Sequence, residues 1–164
     1  DRWPIFYISY RYTRGARIFG MIKFRTMHKN AESLVYAMKD KNEAGGPMFK
    51  IKNDSRITKI WTFLRKYSID ELPQLFNVLK GDMSLVGPRP LTVDLTNFSD
   101  HRQIDRLTVL SGMTGPWQVS GRSNITYERM IKLDIEYIKT LSFINDIKIL
   151  VKTVAVVLSG NGAY

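Results

Sequence analysis

The stretch Ser68-Ile69-Asp70-Glu71-Leu72-Pro73-Gln74 sets two adjacent carboxylates at the start of a helical pattern. As local structure, Ser68 and Glu71 match a capping box, or Asp70 is itself the N-cap, with Pro73 tolerated in a first turn whose N–H groups have no helical partner. As chemistry, carboxylates at a helix start stand beside unpaired N–H groups and the positive end of the helix dipole, a place that favours phosphate. Phosphate and carboxylate repel. The chemical reading therefore needs a Mg²⁺ held by one carboxylate, leaving the other free to attack phosphorus as a covalent nucleophile. Neighbouring residues at a helix start diverge by roughly 100°, so two separate tasks suit Asp70 and Glu71 better than one shared chelate.

Gly87-Pro88-Arg89-Pro90 follows, with Arg89 placed 18 residues after Glu71. One proline fixes its own backbone and the next excludes Arg89 from the helical region, so the guanidinium is presented on a stiff segment. That suits bidentate phosphate binding, although a plain structural turn has the same sequence. Lys23 and Arg25 alternate around Phe24 and fall on one face of a strand, with Arg11 on the preceding strand; phosphate binding and solvation of strand charges are both open to them. The stretch from Ser111 to Arg122 surrounds Trp117 with turn-forming residues and ends on an arginine, as a substrate loop or a buried turn. Asp146, at the start of the last helical pattern, reads as an N-cap. His28 and His101 lack ligand or triad spacing and are expected at the surface.

The elements that must carry these residues follow from periodicity. Residues 5–12 and 17–26 are aromatic and β-branched around Thr13-Arg14-Gly15-Ala16, which predicts a β-hairpin. Residues 30–40 form a short helical candidate and residues 41–47 a loop. Asp54 caps a predicted helix to about residue 67, where Ile57, Ile60, Trp61 and Leu64 make an apolar stripe flanked by Arg56, Lys59, Arg65 and Lys66. Such a helix either lies on an anionic membrane surface or turns its stripe to a core. Leu72, Leu75, Phe76 and Leu79 repeat the spacing over residues 71–80 and are expected to pack inside, with Gly81 as the stop. A short helix from 91 to 106 and two longer ones at 126–141 and 143–158 complete an α+β chain, mostly helical with an N-terminal β-hairpin and read as one domain, 1–164.

Charge points toward an anionic partner. Residues 1–66 hold 15 basic and 5 acidic side chains, whereas residues 67–164 hold 10 of each. The whole surplus of +10 therefore lies in the first part of the chain. With no cysteine, disulfides, thiolate metal sites and a cysteine nucleophile are excluded. No helix-turn-helix, zinc-finger or RNA-binding signature accompanies the charge, so no nucleic acid is expected as partner. The most apolar stretch, residues 143–158, is interrupted by Asp146, Lys148 and Lys152 and reads as a buried or interfacial helix.

KFRTM at 23–27, DSRIT at 54–58, SIDELPQLFNVLKGDMSLVGPRP at 68–90, GMTGPWQVSGR at 112–122 and the GAY ending make the chain resemble the bacterial sugar transferase family along its whole length. The resemblance implies a monotopic phosphoglycosyl transferase at the cytoplasmic face of the bacterial inner membrane. Such an enzyme moves a sugar 1-phosphate from a UDP-sugar to undecaprenyl phosphate. On that likeness Asp70 is the nucleophile, Glu71 holds Mg²⁺, and Arg89 binds phosphate. Arg11, Lys23, Arg25, Arg122 and Asp146 support the substrates. It also implies a membrane-inserted re-entrant helix ahead of Pro4-Ile5-Phe6-Tyr7, a segment outside these 164 residues. The alternative expectations are an inactive assembly scaffold and, on charge alone, a basic nucleic-acid-binding module. Ser111 stands where the family commonly has proline, and the sugar is open between galactose and glucose.

Overall fold

The computed structural model describes residues 4–26, 59–160 and 162. The helix expected at 30–40, the loop at 41–47 and the Asp54 cap lie outside the described residues, as does His28.

The hairpin forms as expected. Strands β1 (Phe6–Tyr12) and β2 (Ile18–Phe24) pair antiparallel around a 3-10 turn at Arg14–Ala16. Gly15 takes φ +68 there, in the left-handed region where glycine carries no Cβ penalty. Strand alternation then sorts β2. Phe19 and Met21 are buried, and Lys23, two residues on, follows them onto the inward face. Cross-strand pairing sets Tyr7 opposite Lys23 and Arg11 opposite Phe19, so Arg11 shares that face.

Helix α1 (Lys59–Lys66) leads through a turn at Tyr67 and Ser68 into a 3-10 segment, Ile69–Glu71, and then helix α2 (Gln74–Leu79). Pro73 stands just before α2, where a missing N–H costs nothing. The expectation for α2 is overturned. Leu72, Leu75, Phe76 and Leu79 are all exposed, Phe76 to 62% and Leu79 to 85%, while Gln74 and Asn77 are fully buried. Helical periodicity decides which residues share a face but not which face turns inward. Here Asn77 decides it. Its amide donates to the Gly20 carbonyl at 2.9 Å and accepts from the Ile22 N–H at 3.0 Å, fastening α2 to β2. Val78 reaches the small core of Phe19, Met21 and Met83 beside it.

A second, parallel pair unites β3 (Ser84–Val86) and β4 (Gly112–Thr114). Residues 91–106 do not form the single short helix expected. A 3-10 turn at Val93–Leu95 and helix α3 (His101–Asp105), capped by Asp100, divide the stretch, and a further 3-10 turn follows at Arg106–Thr108. His101 is exposed, as expected.

The two C-terminal helices match their patterns: α4 (Tyr127–Lys139), capped by Thr126, and α5 (Phe143–Ser159), capped by Ser142. Trp117 packs with Tyr127, Met130 and Ile131, so the glycine-rich stretch before α4 contributes to a core. Among the described residues no helix is long and apolar enough to cross a membrane.

The close approach of β3 to β4 places the Arg89 segment. A Cβ on Gly112 would collide with the backbone of Gly87 and come within 2.5 Å of the Thr114 carbonyl oxygen, and one on Gly87 would lie 2.6 Å from the Leu110 carbonyl oxygen. Backbone cannot yield as a side-chain tip does. Gly112→Ala should therefore cost at least about 3 kcal/mol, near the upper end of overpacking penalties, read as a lower urea midpoint. An unchanged midpoint would contradict this packing.

Candidate active site

The carboxylate pair lies where β2, the Ile69–Glu71 segment and the loop after β3 meet. Neither capping arrangement is formed. Ser68 is left-handed at φ +53 and makes no side-chain cap bond, and Asp70 lies buried inside the 3-10 turn. The local role that would have explained both carboxylates is therefore absent.

Glu71 is instead a clamped anion. Arg89 Nη1 donates to its Oε2 at 2.9 Å and Arg89 Nη2 to its Oε1, while Lys23 Nζ donates to Oε1 at 2.9 Å. All three side chains are only about one-fifth exposed. Burial alone would raise the Glu71 carboxyl, but Arg89 and then Lys23 outweigh it and hold the group well below the usual carboxylate range. Burial likewise opposes the Arg89 charge, and Glu71 overcomes it and raises the guanidinium pKa. Lys23 keeps the mark of burial and is lowered in spite of Glu71.

Asp70 has the opposite character. It is buried and, among the described residues, makes no side-chain hydrogen bond or ion pair. Burial and then the neighbouring Glu71 charge raise its pKa, against Lys23, Arg65 and Arg89. Adjacent carboxylates are thus driven apart, one held as an anion well below the usual carboxylate range and one unengaged and more basic.

The remaining expected site residues divide. Arg122 joins the group through Ser68, its Nη2 donating to the Ser68 hydroxyl and its Nη1 to the Lys66 carbonyl at 3.4 Å. Arg122 itself sits at φ +52, so two non-glycine residues in the left-handed region touch directly beside the carboxylates. Burial lowers the Arg122 pKa, and the group feels Glu71, Arg89 and Asp70. Arg11 donates to the Ser9 hydroxyl at 3.0 Å and the Pro90 carbonyl at 3.4 Å. Burial first, and Arg89 second, push Arg11 down to about 10. Arg25 turns elsewhere: its guanidinium lies 5.5 Å from the Tyr7 ring centre and donates to the Pro4 carbonyl, so the paired Lys23 and Arg25 face is not assembled around the carboxylates.

Asp146 is not the cap of α5, because Ser142 fills that role. Its carboxylate accepts from the Tyr137 hydroxyl at 2.7 Å and bonds to none of the carboxylate-site side chains. Sequence reasoning counted Arg65 only as a flanking charge, yet Arg65 reaches Thr26 at 3.1 Å and acts on Asp70. It missed Asn77 altogether. The one available signal was a polar residue three positions after Gln74 on a helix whose other positions are apolar.

The Bacterial sugar transferase family model matches residues 1–160. The chain is 49% identical, over 99% of its length, to Galactosyl transferase CpsE of Streptococcus agalactiae serotype III, of which the match covers 36%. It is 45% identical over its full length to Undecaprenyl-phosphate galactose phosphotransferase of Salmonella typhimurium, covering 35% of that protein. A third relative is UDP-glucose:undecaprenyl-phosphate glucose-1-phosphate transferase of Xanthomonas campestris pv. campestris, 37% identical over 98% of the chain and 33% of the relative. The chain belongs to the bacterial sugar transferase family, and it spans about a third of the length of these relatives.

Because the folded pKa of Glu71 is depressed, its stabilising contribution is complete above the unfolded value near ~4.3 and is lost as pH falls below it. Glu71→Gln leaves Arg89 and Lys23 facing each other and should cost roughly 2–3 kcal/mol at pH 7, discounted from a fully buried pair for partial exposure. The gap between the urea midpoints of wild type and variant should narrow as pH falls from ~4.3 to ~3 and close only through the depressed folded value of Glu71. A gap that stays constant over that range would rule out the depressed carboxyl.

Proposed function

We propose that the chain transfers a sugar 1-phosphate from a UDP-sugar to undecaprenyl phosphate, releasing UMP, as an initiating step of exopolysaccharide, capsule or O-antigen assembly. The observation that carries this reading is the division between a clamped Glu71 and an unengaged, more basic Asp70. The names of the relatives supply the substrate class: galactosyl or glucosyl phosphate and an undecaprenyl phosphate carrier.

In the first step an Asp70 carboxylate oxygen attacks the β-phosphorus of the UDP-sugar. An Asp–O–P bond forms, the bridging P–O bond breaks, and its electron pair leaves with UMP. In the second step a phosphate oxygen of undecaprenyl phosphate attacks the same phosphorus and Asp70 departs as carboxylate. Burial serves the first step, since a carboxylate with a raised pKa is a stronger nucleophile once ionised. Arg89 and Lys23 serve both. Glu71 occupies two of the five guanidinium N–H groups and one of the three ammonium N–H groups, leaving donors aimed from fixed positions at phosphate oxygens.

The donor set fits Mg²⁺ in a limited way. Glu71 has one lone-pair position left, on Oε2, and Asp70 adds a carboxylate; Mg²⁺ is commonly held by one or two carboxylates with substrate phosphates completing its shell. We assign Mg²⁺ to Glu71 Oε2, where it would neutralise diphosphate charge. The cations Lys23, Arg65, Arg89 and Arg122 already outnumber the two carboxylates, so the diphosphate itself must contribute to holding the metal.

A panel of UDP-sugars with Mg²⁺, supplied with and without undecaprenyl phosphate, tests the reading through UMP release and label retained on the protein. Wild type should retain phosphosugar label, and Asp70→Asn should retain none and lose UMP release by at least about 10³-fold. Turnover should also fall on the acid side at a pH above the ordinary aspartate value of ~3.9, because attack needs the ionised form of a group whose pKa is raised. Normal turnover by Asp70→Asn would remove Asp70 as nucleophile.

A further inference from the structure

The Arg89 segment cannot hold itself in place. Pro88 and Pro90 have no N–H, so the stretch has few donors of its own, and its conformation depends on what grips its carbonyls. Four consecutive carbonyls are gripped by donors from three elements: β1, β4 and the 3-10 turn after α3. Gly112 N–H donates to Pro88 at 2.9 Å and Tyr12 N–H to Leu91 at 3.3 Å, both backbone contacts. Arg11 reaches Pro90 at 3.4 Å, and Arg106 Nη2 reaches Arg89 itself at 2.7 Å, the shortest of the four.

Arg106 lies in the 3-10 turn after α3 and is 3% exposed; its partner Asp134, in the middle of α4, is completely buried. The pair is poorly arranged as a device for stability. Nε at 2.9 Å and Nη2 at 2.8 Å both converge on Asp134 Oδ2, in place of a two-on-two fork. Among the described residues, Arg106 Nη1 and Asp134 Oδ1 have no hydrogen-bond partners. A buried ion pair is weak grounds for stability even when fully satisfied, because desolvation consumes the attraction. What the geometry does achieve is to direct Nη2 at one backbone oxygen, that of the residue whose side chain clamps Glu71.

We propose that Arg106, oriented by Asp134, is a positioning residue: it fixes the Arg89 backbone so that the guanidinium meets both Glu71 oxygens and keeps its remaining N–H groups on the phosphate site. Arg106→Lys keeps a cation beside Asp134 but cannot reach both the carboxylate and the Arg89 carbonyl in the same way. Only the kinetic arm of the test rests on the transfer reading above; the stability arm stands without it.

In the stability arm, Glu71→Gln is measured by urea denaturation in wild type and in Arg106→Lys. The free-energy cost of Glu71→Gln should fall by at least half in the Arg106→Lys background, since the clamp it removes is already loosened. Equal costs in the two backgrounds would overturn the proposal whatever the chain transfers. In the kinetic arm, Arg106→Lys alone should lower UMP release 10-fold or more, mainly in kcat. In an Arg89→Lys background it should lower it less than 2-fold, where a general loss of structure would reduce both equally. Asp134→Asn, which retains the guanidinium, should show the same non-additivity. Loss of the native fold in both Arg106→Lys and Asp134→Asn would assign the pair to the core alone, and would also overturn the proposal.

Discussion

The rest of the site depends on a carboxylate held between two cations in a poorly solvated place. Glu71 alone would be an expensive buried anion, and Arg89 and Lys23 would repel each other across the same space. Together they are stable only if all three arrive in register. That requirement ties three separate elements into one construction: β2 brings Lys23, the turn before α2 brings Glu71, and the loop after β3 brings Arg89. Asp70 is then what the clamp leaves over. It shares the burial and the positive surroundings but none of the bonds, the condition under which a carboxylate can act on another molecule.

The fold supplies this register through polar contacts more than through its small apolar clusters. Asn77 locks α2 onto β2, and the glycines at 87 and 112 let two parallel strands come close enough to fix the next loop. Turning Asn77 inward leaves Leu72, Leu75, Phe76 and Leu79 at the surface, directly after the carboxylate pair. The inverted face of α2 is thus a consequence of fastening the site.

Much of the arrangement around the candidate site is legible in the sequence. Lys23 is predictable from strand alternation, because Phe19 and Met21 mark the inward face two and four residues earlier. The two prolines mark Arg89 as stiffly presented and the helix start singles out Asp70 and Glu71, but each pattern equally allowed a plain structural role. The hairpin, α4 and α5 follow from period and caps. The failures share a cause: local pattern is blind to what stands opposite. Asp146 has the sequence setting of a cap, yet Ser142 was available four residues earlier and took the role. Ser68 and Glu71 have capping-box spacing, but long-range charge on Glu71 prevailed over a local bond. Arg106 and Asp134 are separated by 28 residues and carry no motif, so only packing could pair them.

The most direct measurement of the central claim is a carbon-13 carboxyl titration of wild type by NMR, assigned with Asp70→Asn and Glu71→Gln. Free side chains titrate near ~3.9 for aspartate and ~4.3 for glutamate. The clamp predicts that this order is inverted, with Glu71 well below its ordinary value and Asp70 above its own. A Glu71 that takes up its proton at or above the pH at which Asp70 does would contradict the account.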